Sequence, residues 1–189
     1  MLALLTPKHE DIRSNRMESL LVQNLHEIPV DVSDFFSRCH LPNLQHLNLL
    51  HCKISLWDLL IRAGTRVLTE LHLDFINPSS TPTTQQLLSV LVSNPNLREV
   101  TLLRQAVPQD YTAAASGRAP LHNAMRLRLS GETRHVFGLL QRLNYPATLD
   151  EFVVTLHNFR STDVSEIIGP HLRSYFQHQE KPIQIFNTH

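Results

Sequence analysis

Leu44-Gln45-His46-Leu47-Asn48-Leu49 is the stretch from which this chain is best read. Its form is L-x-x-L-x-L. From His46 onward polar and apolar residues alternate, the period of an extended strand whose side chains point to opposite faces in turn. Leu47 and Leu49 then face one way, His46 and Asn48 the other. The form recurs as Leu68-Thr69-Glu70-Leu71-His72-Leu73 and as Leu97-Arg98-Glu99-Val100-Thr101-Leu102. Weaker copies are Ala124-Met125-Arg126-Leu127-Arg128-Leu129 and Leu149-Asp150-Glu151-Phe152-Val153-Val154, and Met17-Glu18-Ser19-Leu20-Leu21-Val22 fits with looser chemistry.

The six copies start at residues 17, 44, 68, 97, 124 and 149, spaced by 27, 24, 29, 27 and 25 residues. One such hexapeptide says little in a chain rich in leucine, whereas six at near-constant spacing make a repeat. A strand this short cannot bury its apolar side alone. Stacking it on the next copy builds a parallel sheet over one continuous core. The expectation is an α/β fold, a leucine-rich-repeat solenoid of about six irregular repeats, with a curved parallel sheet and helices on its convex side.

The segments between copies carry helix signals. Asp31 to Phe36 suits a short helix capped by Ser33 or Asp31. Ser55 is placed to cap Leu56 to Arg62, which ends near Gly64. Thr83 to Val92 sets Leu87, Leu88, Leu91 and Val92 on one stripe and stops before Pro95. Thr133 to Leu143 sets out Val136, Phe137, Leu139, Leu140 and Leu143 in the same way, and Asp163 to Gln177 is a further candidate, divided at Gly169-Pro170. Ile183-Gln184-Ile185-Phe186 reads as a last edge strand. Residues 105–123, with Pro108, Gly117 and Pro120, read as an inserted surface loop. Residues 1–16 form an N-terminal extension, 17–189 a single repeat domain closed by a C-terminal helix and strand.

Seventeen basic residues balance seventeen acidic ones, which argues against nucleic acid as the main ligand. Two cysteines, Cys39 and Cys52, are too few for a disulfide framework and point to a reducing compartment. Met1-Leu2-Ala3-Leu4-Leu5 stops at Pro7-Lys8, short of a signal peptide's apolar core, and no run is long enough to span a membrane. The expected location is intracellular, in cytoplasm or nucleus. Cys39-His40 and His51-Cys52 lack the close spacing of a structural zinc site, and Cys52 occupies the N/C position of the repeat after Leu49. The chain holds no G-x-S-x-G elbow, phosphate loop, H-E-x-x-H or C-x-x-C. Neither a cofactor nor an enzymatic activity is expected.

The expected site is geometric. The outward positions form a column through Leu21, Asn48, His72, Thr101, Arg128 and Val153. His46, Glu70, Arg98, Arg126 and Glu151 flank it on one side, and Leu50, Asp74, Leu103, Ser130 and Thr155 on the other. The protein-binding candidates are His46, Asn48, Glu70, His72, Asp74, Arg98, Thr101, Arg104, Arg126 and Arg128. Acidic Glu70 and Asp74 precede Arg98, Arg104, Arg126 and Arg128, an acid-to-base gradient able to orient a partner protein, with arginines for bidentate contacts. The bland counterpart is a solvated polar face with no ligand.

Leu127-Arg128-Leu129-Ser130-Gly131-Glu132, followed by His135-Val136-Phe137-Gly138-Leu139-Leu140, resembles the F-box proteins with leucine-rich repeats of mushroom-forming (basidiomycete) fungi. Pro146-Ala147-Thr148-Leu149, Ile167-Ile168-Gly169-Pro170-His171-Leu172 and Leu41-Pro42-Asn43-Leu44 fit the same group, so the resemblance covers roughly residues 17 to 180. It implies a non-catalytic module that captures a protein for ubiquitination. Residues 1–16 are too few for a three-helix F-box, so docking on the ligase adaptor is expected only where that segment is supplied. The family contributes no catalytic residue.

Overall fold

The computed structural model describes residues 12–13, 16–25, 28, 30–62, 66–110, 118–146, 149–160, 169 and 184–188. Seven strands form one sheet: β1 (Ser19–Gln23), β2 (His46–Leu50), β3 (Glu70–Phe75), β4 (Glu99–Arg104), β5 (Arg126–Glu132), β6 (Glu151–His157) and β7 (Gln184–Thr188). They lie side by side in chain order, and every neighbouring pair is parallel. The fold is therefore mixed α/β with a parallel central sheet. The strand expected at the C-terminus is β7, at the sheet edge beside β6.

Register follows the hexapeptide. Leu20, Leu47, Leu71, Val100, Leu127 and Phe152 align in one inward row, and Val22, Leu49, Leu73, Leu102, Leu129 and Val154 in the next. From β2 to β6 every residue of both rows is buried, so a one-residue slip of any strand would turn its leucines to solvent. The way into each strand is also repeated. The carbonyl of Gln45 accepts the amides of Thr69 and Glu70, that of Thr69 the amides of Arg98 and Glu99, and that of Arg98 the amides of Met125 and Arg126. Glu18 and Met125 play the same part for His46 and Glu151.

Four α-helices are described whole in the connecting segments: α1 (Ser33–Arg38), α2 (Asp58–Arg62), α3 (Thr84–Ser93) and α4 (Thr133–Leu140). Phe36, Trp57, Leu60, Leu87, Leu91, Val136 and Phe137 join the inward rows in one core. Among the described residues the helices thus cover one face of the sheet and leave the other open.

Helix ends differ in part from expectation. Thr83 does cap α3, through a capping box with Gln86. Ser55 does not cap α2. Its hydroxyl donates to Asp31, and its amide and that of Leu56 donate to the Ser33 hydroxyl, stitching two successive connections together. Asp31 accepts from the Ser33 amide, and α1 begins at Ser33 and runs on to Arg38. α4 stops at Leu140 because Leu143–Asn144 pairs with Ala119–Pro120 as a short parallel bridge. That bridge lies within the expected inserted loop, of which 111–117 fall outside the described residues. The helix read over Asp163 to Gln177 also falls outside them, apart from Gly169. Within the N-terminal extension, Ile12–Arg13 pairs with Cys39–His40. Among the described residues no helix is long and apolar enough to cross a membrane.

Candidate functional site

The open face of the sheet carries the outward residues of each strand. Leu21, Asn48, His72, Thr101, Arg128 and Val153 stand in one row across β1 to β6, as the repeat implied. Leu50, Asp74, Leu103, Ser130 and Thr155 form a second row, also as read. The third differs in one member: it runs Ser19, His46, Glu70, Glu99, Arg126, Glu151. Glu99 occupies the place assigned to Arg98, which precedes β4 and extends the turn into it. The correction has a simple cause, since in a strand a shift of one residue changes face.

That substitution, with the pairs that follow, removes the expected gradient. The Arg104 guanidinium donates Nε and Nη2 to the two carboxylate oxygens of Asp74, both at 2.6 Å. Arg128 grips Glu151 in the same bidentate way at 2.9 and 2.8 Å. Arg126 donates to Glu99 at 2.7 Å. Each arginine meets a carboxylate of an adjacent strand, so ion pairs tie β3 to β4, β4 to β5 and β5 to β6. The bidentate capacity foreseen for a partner at Arg104 and Arg128 is engaged internally. The hydrogen bond from Arg128 and its positive charge hold the Glu151 carboxyl below its ordinary value, and the same bond raises Arg128.

Histidines edge these pairs. His46 lies 3.5 Å from Glu70, and His51 accepts from Arg104 at 2.8 Å while standing 4.0 Å from Asp74. His51 and Arg104 both have a φ of 57°, a left-handed conformation where β2 and β4 leave the sheet. His51 was weighed from sequence only beside Cys52 for zinc, and neither its contact with Arg104 nor the Ser130–His157 contact at 2.9 Å was read, because spacing alone does not show which side chains meet across strands. Ser130 is buried, so that contact ties β5 to β6.

Between β1 and β5 lies a half-open hollow of about 490 Å³, lined among others by Leu21, Asn48, Glu70, His72, Glu99 and Thr101. Asn48 Oδ1 and His72 Nε2 are shielded from solvent and lack a hydrogen-bond partner among the described residues. Burial pushes His72 below the usual histidine value; Asp74 opposes it and the charge of Arg128 adds a smaller push the same way as burial. Its imidazole is therefore neutral at neutral pH. Leu21 stands 60% exposed on the rim.

The cysteines lie away from this face. Cys39 and Cys52 are free and buried, and burial pushes both thiols up. The Cys52 thiol donates to the carbonyl of Leu50 at 3.3 Å. Among the described residues no three His, Cys, Asp or Glu side chains are grouped to hold a metal ion. No family model, curated protein or solved structure matches the chain.

Proposed function

We propose that this chain is a leucine-rich-repeat solenoid acting as a non-catalytic protein-binding module, with the open face of β1 to β6 as its docking surface. The observation that carries the reading is the asymmetry of the sheet. One face is packed under four helices, while the other bears ordered rows of polar side chains around a hollow with solvent-shielded, unpaired polar atoms. A solvated surface does not normally hide such atoms, because each costs about 1–3 kcal/mol when it is left without a partner. The solenoid assignment is supported by the backbone bonding repeated on the carbonyls of Gln45, Thr69, Arg98 and Met125.

The face residues are His46, Asn48, Glu70, His72, Asp74, Thr101, Arg104, Arg126 and Arg128, with Glu99 in place of Arg98. Nucleic acid suits this surface poorly, since its arginines are neutralised by carboxylates. The resemblance carried by Leu127 to Leu140 favours substrate recognition for a ubiquitin ligase. The alternative is a scaffold, or a relic of a longer gene, without that connection. Proximity labelling in cells separates them: ligase components among the labelled proteins support the first, and their consistent absence supports the second. For the face itself, hydrogen exchange of the full chain with a cross-linked partner is decisive. Protection over β2 to β5 is expected, and protection confined to the helical side overturns the reading.

A further inference from the structure

The pairing around the hollow is incomplete at Glu70. Asp74, Glu99 and Glu151 each bind an arginine of a neighbouring strand. Glu70 meets His46 alone, at 3.5 Å, and remains half-exposed. Its register partner on β4 is Glu99, so two carboxylates stand next to each other across parallel strands. Like charges so placed repel. Arg126 relieves Glu99 from the far side, which leaves Glu70 as the carboxylate lining the hollow with no arginine or lysine ion pair among the described residues.

Glu70 also lines the hollow, together with Glu99. Leu21 offers an apolar wall at the rim. A half-exposed carboxylate beside a second one, with an exposed leucine at the rim, suits a long side chain with an aliphatic stem and a cationic head. An anionic group would instead meet Glu70 and Glu99, with Arg128 already bound to Glu151 at both oxygens.

The geometry points to a partner protein that inserts an arginine or lysine side chain into this hollow, its charge on Glu70 and its stem along Leu21. The inference rests on the reading of this face as a docking surface and names the chemistry the partner brings. Repulsion between Glu70 and Glu99 falls when the cation arrives, so binding weakens with added salt.

The test is selection of a phage-displayed library of random dodecapeptides on the immobilised full chain. Peptides with arginine or lysine beside an apolar residue are expected to enrich. Arg98→Ala, outside the strand rows, should select the same pool. For individual peptides, replacing the selected arginine by citrulline or the lysine by norleucine should weaken binding about tenfold, the worth of one charge-assisted contact. Glu70→Gln should do the same, with its thermal melt checked against the parent chain. Enriched peptides without a basic residue, or binding indifferent to citrulline or norleucine, overturn the inference and leave the docking face standing. Failure of any peptide to enrich overturns both.

Discussion

Arg104 reaches diagonally across the β3–β4 ladder to Asp74, with two guanidinium nitrogens each 2.6 Å from a carboxylate oxygen. The carboxylate is mostly sheltered, with 14% of its side chain exposed, while Arg104 is 41% exposed. Screening therefore limits what the pair contributes. Arg104→Ala should lower unfolding free energy by about 0.5–1 kcal/mol, and the deficit should shrink as salt is raised. Urea denaturation at low and high salt checks both. A loss unaffected by salt would mean that the arginine acts through packing.

Asn94 links two repeats inside the core. Its Nδ2 donates to the Val90 carbonyl at the end of α3, and its Oδ1 accepts the Leu68 amide ahead of β3. The residue is 1% exposed. Asn94→Ala strands both backbone groups, so a loss of about 2 kcal/mol is expected. Equilibrium denaturation measures it, and a neutral result would show that the neighbouring turns re-pair those groups.

Gly131 is buried in β5 without need of its missing side chain. An added Cβ would lie 3.5 Å from Val136 and 3.6 Å from Val107, ordinary contact distances. Gly131→Ala should therefore be neutral or stabilising by up to about 0.5–1 kcal/mol, through reduced freedom of the unfolded chain. Gly131→Leu has no such room and should destabilise. Thermal melts of the pair decide the matter.

Burial holds His72 and His135 below the ordinary histidine value of 6.5. Below that pH the unfolded chain takes up protons on these residues before the folded chain does. Stability is then full above 6.5 and declines as pH falls from there towards the lowered folded values. Thermal midpoints taken downward from neutral pH should show this decline, and His72→Gln should flatten it. An unchanged slope in that variant would assign the effect to other groups.

A face-directed charge offers a test of partner binding that leaves the core alone. Leu21→Asp, on an exposed rim position, should preserve the melt. Binding of apolar-flanked basic peptides should change because the stem contact is lost. Equal binding by parent and variant would place the apolar contact elsewhere.

The period-two pattern by itself determined which side chains of each strand face the core. Leu47 with Leu49, and Leu71 with Leu73, could be read directly, because an alternating strand with one buried face has a single workable orientation. The constant spacing likewise implied that the copies align in register, hence the row Asn48, His72, Thr101 and Arg128. Helix ends were less legible. Ser55 looks like a cap locally, and only the arrival of Asp31 and Ser33 from the preceding connection draws its groups away. The electrostatics of the face belonged to the tertiary structure alone. Read along the chain, acids precede arginines and suggest a gradient. Folded, each strand brings its charges against those of its neighbours, so Arg104 meets Asp74 and Arg128 meets Glu151. Charge interactions depend on distance in space, and parallel stacking makes neighbours of residues a whole repeat apart. That is why Glu70, one acid among several in the sequence, stands beside Glu99 in the fold with only His46 as its ion-pair partner among the described residues.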